Sequence, residues 1–258
     1  MDSDFLRPKA LSEISKSTRI KEFPTHYDVC VASRNVFVLP GYELRKSEDS
    51  LTAQRGETKD NARALLESLR RARQSIRDIV ACSAFTHFVT LTLDSSKVDR
   101  YDYNEIMQRV NRWLSNAVQR QGLSYVLIPE HHKDGALHFH GLFREEVAGS
   151  LSYLDSGRKT NRGQAIYNLK NWRFGFSACI ELDGEYAKVV SYIQKYITKE
   201  SQKVGGRWYL SGGALARPRV SYADLDFSEI DAEEYRVPKA GVAFKYLKID
   251  KNSDLSDL

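Results

Sequence analysis

The strongest restriction on the fold comes from two histidines separated by one apolar residue, in the segment ALHFHGLF at residues 136–143. Apolar and aromatic residues flank both histidines, a composition that is typical of a β-strand. Side chains two residues apart on a strand point to the same face. We therefore expect His138 and His140 to direct both imidazoles to one side of a sheet, while Phe139 packs on the other side.

A metal site built on these two imidazoles needs a further ligand, and the preceding predicted strand can supply one. The length of the connecting turn decides which residue lies opposite His138. A two-residue turn at Asp134-Gly135 places His131 there, whereas a three-residue turn with a left-handed glycine places Glu130 there. We predict the longer turn.

The predicted metal ligands are therefore Glu130, His138 and His140. His132 turns inward with the same register and is a spare ligand or a group that orients the others. Two imidazoles and a carboxylate favour Mn²⁺ or Mg²⁺ in a hydrolytic site over structural zinc, which normally takes four protein ligands. The alternative is a pair of ordinary strand histidines without a metal.

Residues 185–199 have the spacing of a helix that carries two tyrosines on one side. Its apolar stripe consists of Tyr186, Val190, Ile193 and Ile197. Tyr192 and Tyr196 lie on an adjoining face, and Lys195 and Lys199 each follow a tyrosine by three positions. Because a nearby ammonium favours the phenolate, these four residues are predicted to be catalytic, with attack on a phosphodiester giving a phosphotyrosine link. The alternative is two tyrosines at the edge of an amphipathic helix.

The periodicity elsewhere predicts an α+β fold. Strands are predicted at 87–93, 124–128, 137–143 and 174–182, and helices at 60–80, 103–119 and 185–199. This order favours a ferredoxin-like antiparallel sheet with helices packed on one face. We expect an irregular N-terminal extension at 1–58, with one short strand at 36–39. A domain at 59–218 and an acidic and polar C-terminal appendage at 219–258 complete the predicted organisation.

The helix predicted at 60–80 has an arginine-rich side that can lie against nucleic-acid phosphates. The alternative is a solvated basic face, which many amphipathic helices have. The tyrosine helix contributes a further lysine near the predicted site. The predicted DNA-binding residues are Arg70, Arg71, Arg73, Arg77 and Lys188.

Composition restricts the class of protein. The net charge of +5 leans only mildly towards a polyanionic partner. Three widely separated cysteines argue against a disulfide framework or a four-cysteine zinc finger, and they fit a reducing compartment. We expect a soluble, cytoplasmic protein without a membrane partner, because no apolar run approaches the roughly 18–20 residues of a membrane span.

Three segments, in this order, resemble the motifs of the HUH endonucleases, and specifically of rolling-circle replication initiators from plasmids and phages. Residues 88–92 (FVTLT) are similar to the first motif, and residues 130–140 to the metal motif. Residues 192–199 (YIQKYITK) are similar to the tyrosine motif. The tyrosines follow the histidine pair, whereas conjugative relaxases have the reverse order.

This resemblance implies a metal-dependent enzyme that nicks and joins single-stranded DNA at an origin through a 5′-phosphotyrosine intermediate. Both Tyr192 and Tyr196 are followed by lysine at the family's spacing, which is similar to phage initiators that use two tyrosines in turn. The implied cofactor is Mn²⁺ or Mg²⁺. A host helicase and the host replication machinery are implied partners, because no G-x-x-x-x-G-K-[ST] loop occurs in the sequence. An HUH-type transposase and a non-catalytic module that binds single-stranded nucleic acid are the alternatives.

Overall fold

The computed structural model describes residues 11–42, 61–184, 186–199 and 203–252. For a few residues at element ends, including Tyr186 and Lys199, it describes the backbone and not the side chain. The chain divides into two compact units. The first unit combines Met1–Gly56 with Pro218–Leu258, and the second unit is Glu57–Arg217.

The structure contains four α-helices and fourteen strands among the described residues. In chain order they are α1 (Leu11–Ile14), β1 (Ser15–Lys16), β2 (Thr18–Glu22), β3 (His26–Ala32), β4 (Phe37–Val38), α2 (Asn61–Cys82), β5 (His87–Leu93), α3 (Tyr103–Gln121), β6 (Leu123–His131), β7 (Leu137–Glu145), β8 (Tyr153–Lys159), β9 (Ala165–Leu169), β10 (Gly175–Glu181), α4 (Tyr186–Lys199), β11 (Leu210–Gly212), β12 (Arg219–Ala223), β13 (Glu234–Val237) and β14 (Val242–Asp250).

A seven-stranded antiparallel sheet forms the centre of the second unit. Its strand order is β11-β6-β7-β5-β10-β9-β8. β5, α3 and β6 make a split β-α-β unit, because β7 lies between the two strands that α3 connects. The α+β class and the large antiparallel sheet are therefore confirmed, although the sheet extends beyond a four-stranded ferredoxin-like core at both edges.

Helices cover both faces of this sheet, so the prediction of helices on one face only is wrong. On one face α3 packs Ile106, Val110 and Leu114 against the sheet residues Leu91 and Phe139. On the other face α2 and α4 pack together over a second core, which includes Ile76, Ile79, Ile193, Ile197, Val126 and Leu142. Alternate residues of β5, β6 and β7 are apolar towards both sides, and such strands are expected where both faces are covered.

The predicted elements of the second unit lie where the sequence placed them. β5 has the predicted bounds of 87–93, and the two long helices α2 and α3 differ from prediction by only one or two residues at their ends. α3 begins where the Asp102 carboxylate accepts the Glu105 N–H at 2.9 Å. It ends at Gly122, which has a left-handed backbone with φ +61°. The β8–β9 hairpin and β11 were not predicted.

The first unit differs from the expectation of an irregular N-terminal extension and a separate C-terminal appendage. Strands from both ends of the chain form one five-stranded antiparallel sheet of order β12-β2-β3-β14-β13. The predicted short strand near 36–39 is present as β4, which pairs with β1. β14 alternates apolar and charged residues in the sequence VAFKYLKID, a pattern that the acidic composition around it obscured. In the described part of the chain, no helix is long and apolar enough to cross a membrane.

Candidate active site

The β6–β7 hairpin has the register that places Glu130 opposite His138. The turn is closed by two backbone hydrogen bonds of 2.8 Å, from His132 N–H to the Ala136 carbonyl and from Gly135 N–H to the His132 carbonyl. Gly135 has φ +86°, the left-handed conformation that the longer turn requires. The predicted three-residue turn is therefore confirmed.

His131 lies on the opposite face of the hairpin. It pairs with Leu137, whose side chain is fully buried on the α3 side of the sheet. Its imidazole packs edge-on against the ring of Tyr103 on α3, with ring centroids 5.2 Å apart. The register thus removes His131 from the face that carries His138 and His140.

Glu130 and His140 contact each other on the α4 side of the sheet. The Glu130 Oε2 atom lies 2.8 Å from the His140 Nε2 atom, and each side chain is only about one-eighth exposed. The other ring nitrogen of His140, Nδ1, lies 3.2 Å from the Thr90 hydroxyl on β5. Partners on both nitrogens fix the orientation of this imidazole, in the way that ligand histidines are usually held.

His138 lies beside this pair and stacks on His132, with ring centroids 4.8 Å apart. Burial and the neighbouring His132 lower the pKa of His138. The imidazole of His138 is therefore kept neutral near pH 7, which leaves a nitrogen lone pair for a ligand. His132 in turn contacts the Asp134 carboxylate at 3.2 Å.

α4 brings both predicted phenols to the same face. The ring of Tyr196 stacks on the ring of His140, with centroids 3.8 Å apart. The Tyr196 hydroxyl donates a 2.8 Å hydrogen bond to the Tyr192 hydroxyl oxygen. Phe88 of β5 lies beneath both tyrosines, with its ring centroid 4.9 Å from that of Tyr192 and 6.0 Å from that of Tyr196.

The two tyrosines have different surroundings. Tyr196 is 8% exposed, whereas Tyr192 is 47% exposed. Burial raises the pKa of Tyr196, and its hydrogen bond to Tyr192 and the nearby Glu130 carboxylate raise it further. Tyr196 is thus held as a neutral donor, and Tyr192 offers an accessible oxygen that already accepts a hydrogen bond.

A groove of about 850 Å³ opens beside Tyr192. Its walls come from α4, from β10 and from the turn between β8 and β9. The predicted residues Lys188 and Lys195 line it, together with Arg162 of the turn. The side chain of Lys199 lies outside the described residues. The contribution of the β8–β9 turn, residues 160–164, was not predicted, because its polar sequence TNRGQ resembles any surface loop.

The fit of a metal ion can be judged from these donors. Glu130, His138 and His140 share one face of the hairpin, and their carboxylate and imidazole groups suit a divalent cation. As placed, Glu130 contacts His140 while His138 stacks on His132. Within the described residues, no group of three or more His, Cys, Asp or Glu side chains is positioned to hold an ion. The donor set fits in chemistry, and ligation requires His138 and Glu130 to turn towards a common point.

The predicted arginines of α2 are exposed but lie away from the groove. None of the four lines it among the described residues. Arg71 instead lines a separate cavity of about 380 Å³ with Lys203 and Arg207. α2 reaches α4 through the Gln194 side chain, which donates to the Arg73 carbonyl at 3.1 Å. The structure therefore separates these cations from the tyrosine site, and the cationic partners from residues 203–207 were not predicted.

Comparison with known proteins identifies one family. Residues 86–201 match the family of replication-associated proteins of the ORF2 type. The match covers somewhat less than half of the chain, and it contains β5, the β6–β7 hairpin and α4. No curated protein and no solved structure gives a significant match. The family match supports a replication-associated role for the segment that carries the candidate site.

Proposed function

We propose that the second unit initiates DNA replication by nicking and joining single-stranded DNA at an origin. The observation that carries the proposal is the contact between α4 and the histidine strand, where the Tyr196 ring stacks on His140 at 3.8 Å. This contact brings phenol nucleophiles beside a carboxylate and imidazole cluster, so one phosphate can meet both. The family match to replication-associated proteins supports the same conclusion.

Tyr192 is the first nucleophile in this proposal. Its hydroxyl oxygen attacks the phosphorus atom, the bond from phosphorus to the 3′ oxygen breaks, and the phenol proton passes to the departing 3′ hydroxyl. The product is a 5′-phosphotyrosine link, and attack by a 3′ hydroxyl on that link reverses the reaction without ATP. The Tyr196 hydroxyl, which donates to Tyr192 at 2.8 Å, stabilises negative charge on the attacking oxygen.

Lys195 and Lys188 line the groove beside Tyr192 and would neutralise the phosphates of the bound strand. Tyr196 is then the second nucleophile, acting when the first tyrosine is occupied by DNA. Its burial suits this later step, because it becomes accessible only when the hydrogen bond to Tyr192 is broken.

Glu130, His138 and His140 are the residues that would hold Mn²⁺ or Mg²⁺, with His132 as an alternative ligand. A divalent ion at this position supplies positive charge against the oxygens of the scissile phosphate. The proposal also includes a host helicase as partner and the cytoplasm of a bacterial or phage-infected cell as the place of action.

The test is covalent capture of DNA. The protein is incubated with Mn²⁺ and a randomised single-stranded DNA library, and DNA that stays attached in detergent is isolated and sequenced from its 5′ end. We expect an adduct whose linked ends share one sequence, and the Tyr192→Phe/Tyr196→Phe double variant should form none while it still binds DNA. Tyr101→Phe is the matched control, because Tyr101 is 53% exposed and lies outside α4.

The alternatives predict different outcomes. A non-catalytic binding module retains DNA only without detergent, and wild-type protein would then give no adduct. A transposase would form adducts at the ends of a mobile element and not at an origin. An adduct that persists in the double variant would reject the assignment of the two tyrosines.

A further inference from the structure

Phe176 is the most exposed phenylalanine of the described chain whose strand lies inside the large sheet. It exposes 67% of its surface, although β10 has β5 on one side and β9 on the other. Its neighbours along the strand alternate normally, since Ser177 and Cys179 are buried on the α3 side. Single exposed apolar residues are common on protein surfaces, so the position of this one must carry any inference.

Strand register places Phe176 in the row of the candidate site. Glu130 pairs with His138, His138 pairs with Thr92, and Thr92 pairs with Phe176. Directly paired residues of antiparallel strands project to the same face. Phe176 therefore lies on the same face as the predicted metal ligands, two strands and about 10 Å from His138.

The same face connects Phe176 to the groove beside Tyr192. Residues 176, 178 and 180 of β10 point to one side, and Ile180 lines the groove with Tyr192 and Lys195. Ala178, the small residue between them, leaves the surface open. A strand of DNA that lies in the groove can follow β10 for about 14 Å and reach the phenylalanine ring.

We infer that Phe176 is a stacking platform for a nucleobase of the DNA strand whose phosphate reacts, and this inference rests on the proposed function. The row carries two predicted metal ligands, Glu130 and His138, then the hydroxyl of Thr92, and then a single aromatic face. Nucleotides have the matching combination of a charged phosphate and an apolar base. Stacking on an aromatic side chain tolerates any base, so Phe176 positions the strand without reading its sequence.

The test measures binding directly. Fluorescein-labelled single-stranded DNA of mixed sequence is titrated with wild-type protein and with Phe176→Ala, Phe176→Leu and Phe176→Trp. We expect Phe176→Ala to raise Kd by about 10-fold, in the range observed for loss of one base stack. Phe176→Leu should remain weak and Phe176→Trp should bind like wild type, because only an aromatic ring stacks on a base. The introduced tryptophan should also lose fluorescence when DNA is added.

Tyr235→Ala is the matched control, because Tyr235 is also 67% exposed but lies on β13 of the first unit. Wild-type affinity in Phe176→Ala, rescue by leucine as good as by tryptophan, or an equal loss in Tyr235→Ala would overturn the inference. So would a dimer in solution that Phe176→Ala converts to a monomer, because the ring would then serve a second copy of the chain.

The outcomes separate this inference from the proposed function. Weaker DNA binding by Phe176→Ala together with no covalent adduct in wild type would reject nicking and keep the stacking platform. A normal adduct together with unchanged binding by Phe176→Ala would keep nicking and reject the platform.

Discussion

Glu130 and His131 are adjacent on β6 but face opposite sides of the sheet, so substituting each with alanine tests the site against its nearest control. Glu130→Ala removes the 2.8 Å contact with His140 between two side chains that are about one-eighth exposed. Hydrogen bonds to charged groups contribute about 1.5–3 kcal/mol, so we expect the free energy of unfolding to fall by that amount. His131→Ala removes the edge-on contact with Tyr103, which is worth about 0.5–1.5 kcal/mol.

Activity should separate the two variants far more than stability does. Removing a group that orients a metal ligand typically weakens metal affinity about 10–100-fold, and loss of a ligand costs at least as much. We therefore expect Glu130→Ala to need at least about 10-fold more Mn²⁺ for half-maximal adduct formation. His131→Ala should keep the wild-type requirement, because its side chain lies on the α3 side of the sheet.

The assay is a titration of Mn²⁺ against the initial rate of adduct formation, with thermal unfolding measured on the same samples without metal. Unfolding data show whether each variant is folded at the assay temperature, so a loss of activity cannot be attributed to unfolding. An unchanged Mn²⁺ requirement in Glu130→Ala would refute the role of this carboxylate. Equal losses of activity in both variants would show that the hairpin register does not separate the two residues as the structure indicates.

Three further predictions address the nucleophiles, the packing of the site and a buried thiol. In single-turnover nicking, Tyr192→Phe should abolish the first cleavage, whereas Tyr196→Phe should slow it by about 10–100-fold through loss of a charge-assisted hydrogen bond; the opposite ranking would make Tyr196 the first nucleophile. Gly141→Ala should lower the melting temperature strongly, because a Cβ atom there would lie 2.3 Å from the Val126 carbonyl oxygen; an unchanged melting curve would contradict this packing. Burial raises the pKa of the Cys179 thiol to about 12, so it should resist Ellman's reagent at pH 8 until the protein is denatured; rapid labelling of the native protein at this residue would be inconsistent with its burial.

The local geometry of the site could be predicted because it follows from short-range rules. Alternation along β7 determines that His138 and His140 share a face, and turn length determines which residue lies opposite His138. Gly135 was sufficient to choose between the two turns, because glycine readily adopts the left-handed conformation that the longer one requires. Helical spacing likewise placed Tyr192 and Tyr196 together on α4.

The organisation of the first unit could not be predicted in this way. Its sheet pairs β2 with β12 and β3 with β14, strands that are separated by most of the sequence. Such pairings leave no local signal, and each strand alone is short or interrupted by charges. The acidic stretch after residue 218 suggested a solvated appendage, although the alternation in β14 contained the information for a strand.

The role of the first motif also depended on long-range pairing. From the sequence, Thr90 and Thr92 only mark a β-prone segment. In the sheet, β5 lies between β7 and β10, so Thr90 contacts His140 and Thr92 connects the row of Glu130 and His138 to β10. Three segments that are distant in the sequence thus occupy consecutive strands and the helix that covers them. Because a one-residue slip of β5 would turn both threonines to the α3 side, the register of this single strand decides whether the three motifs form one site.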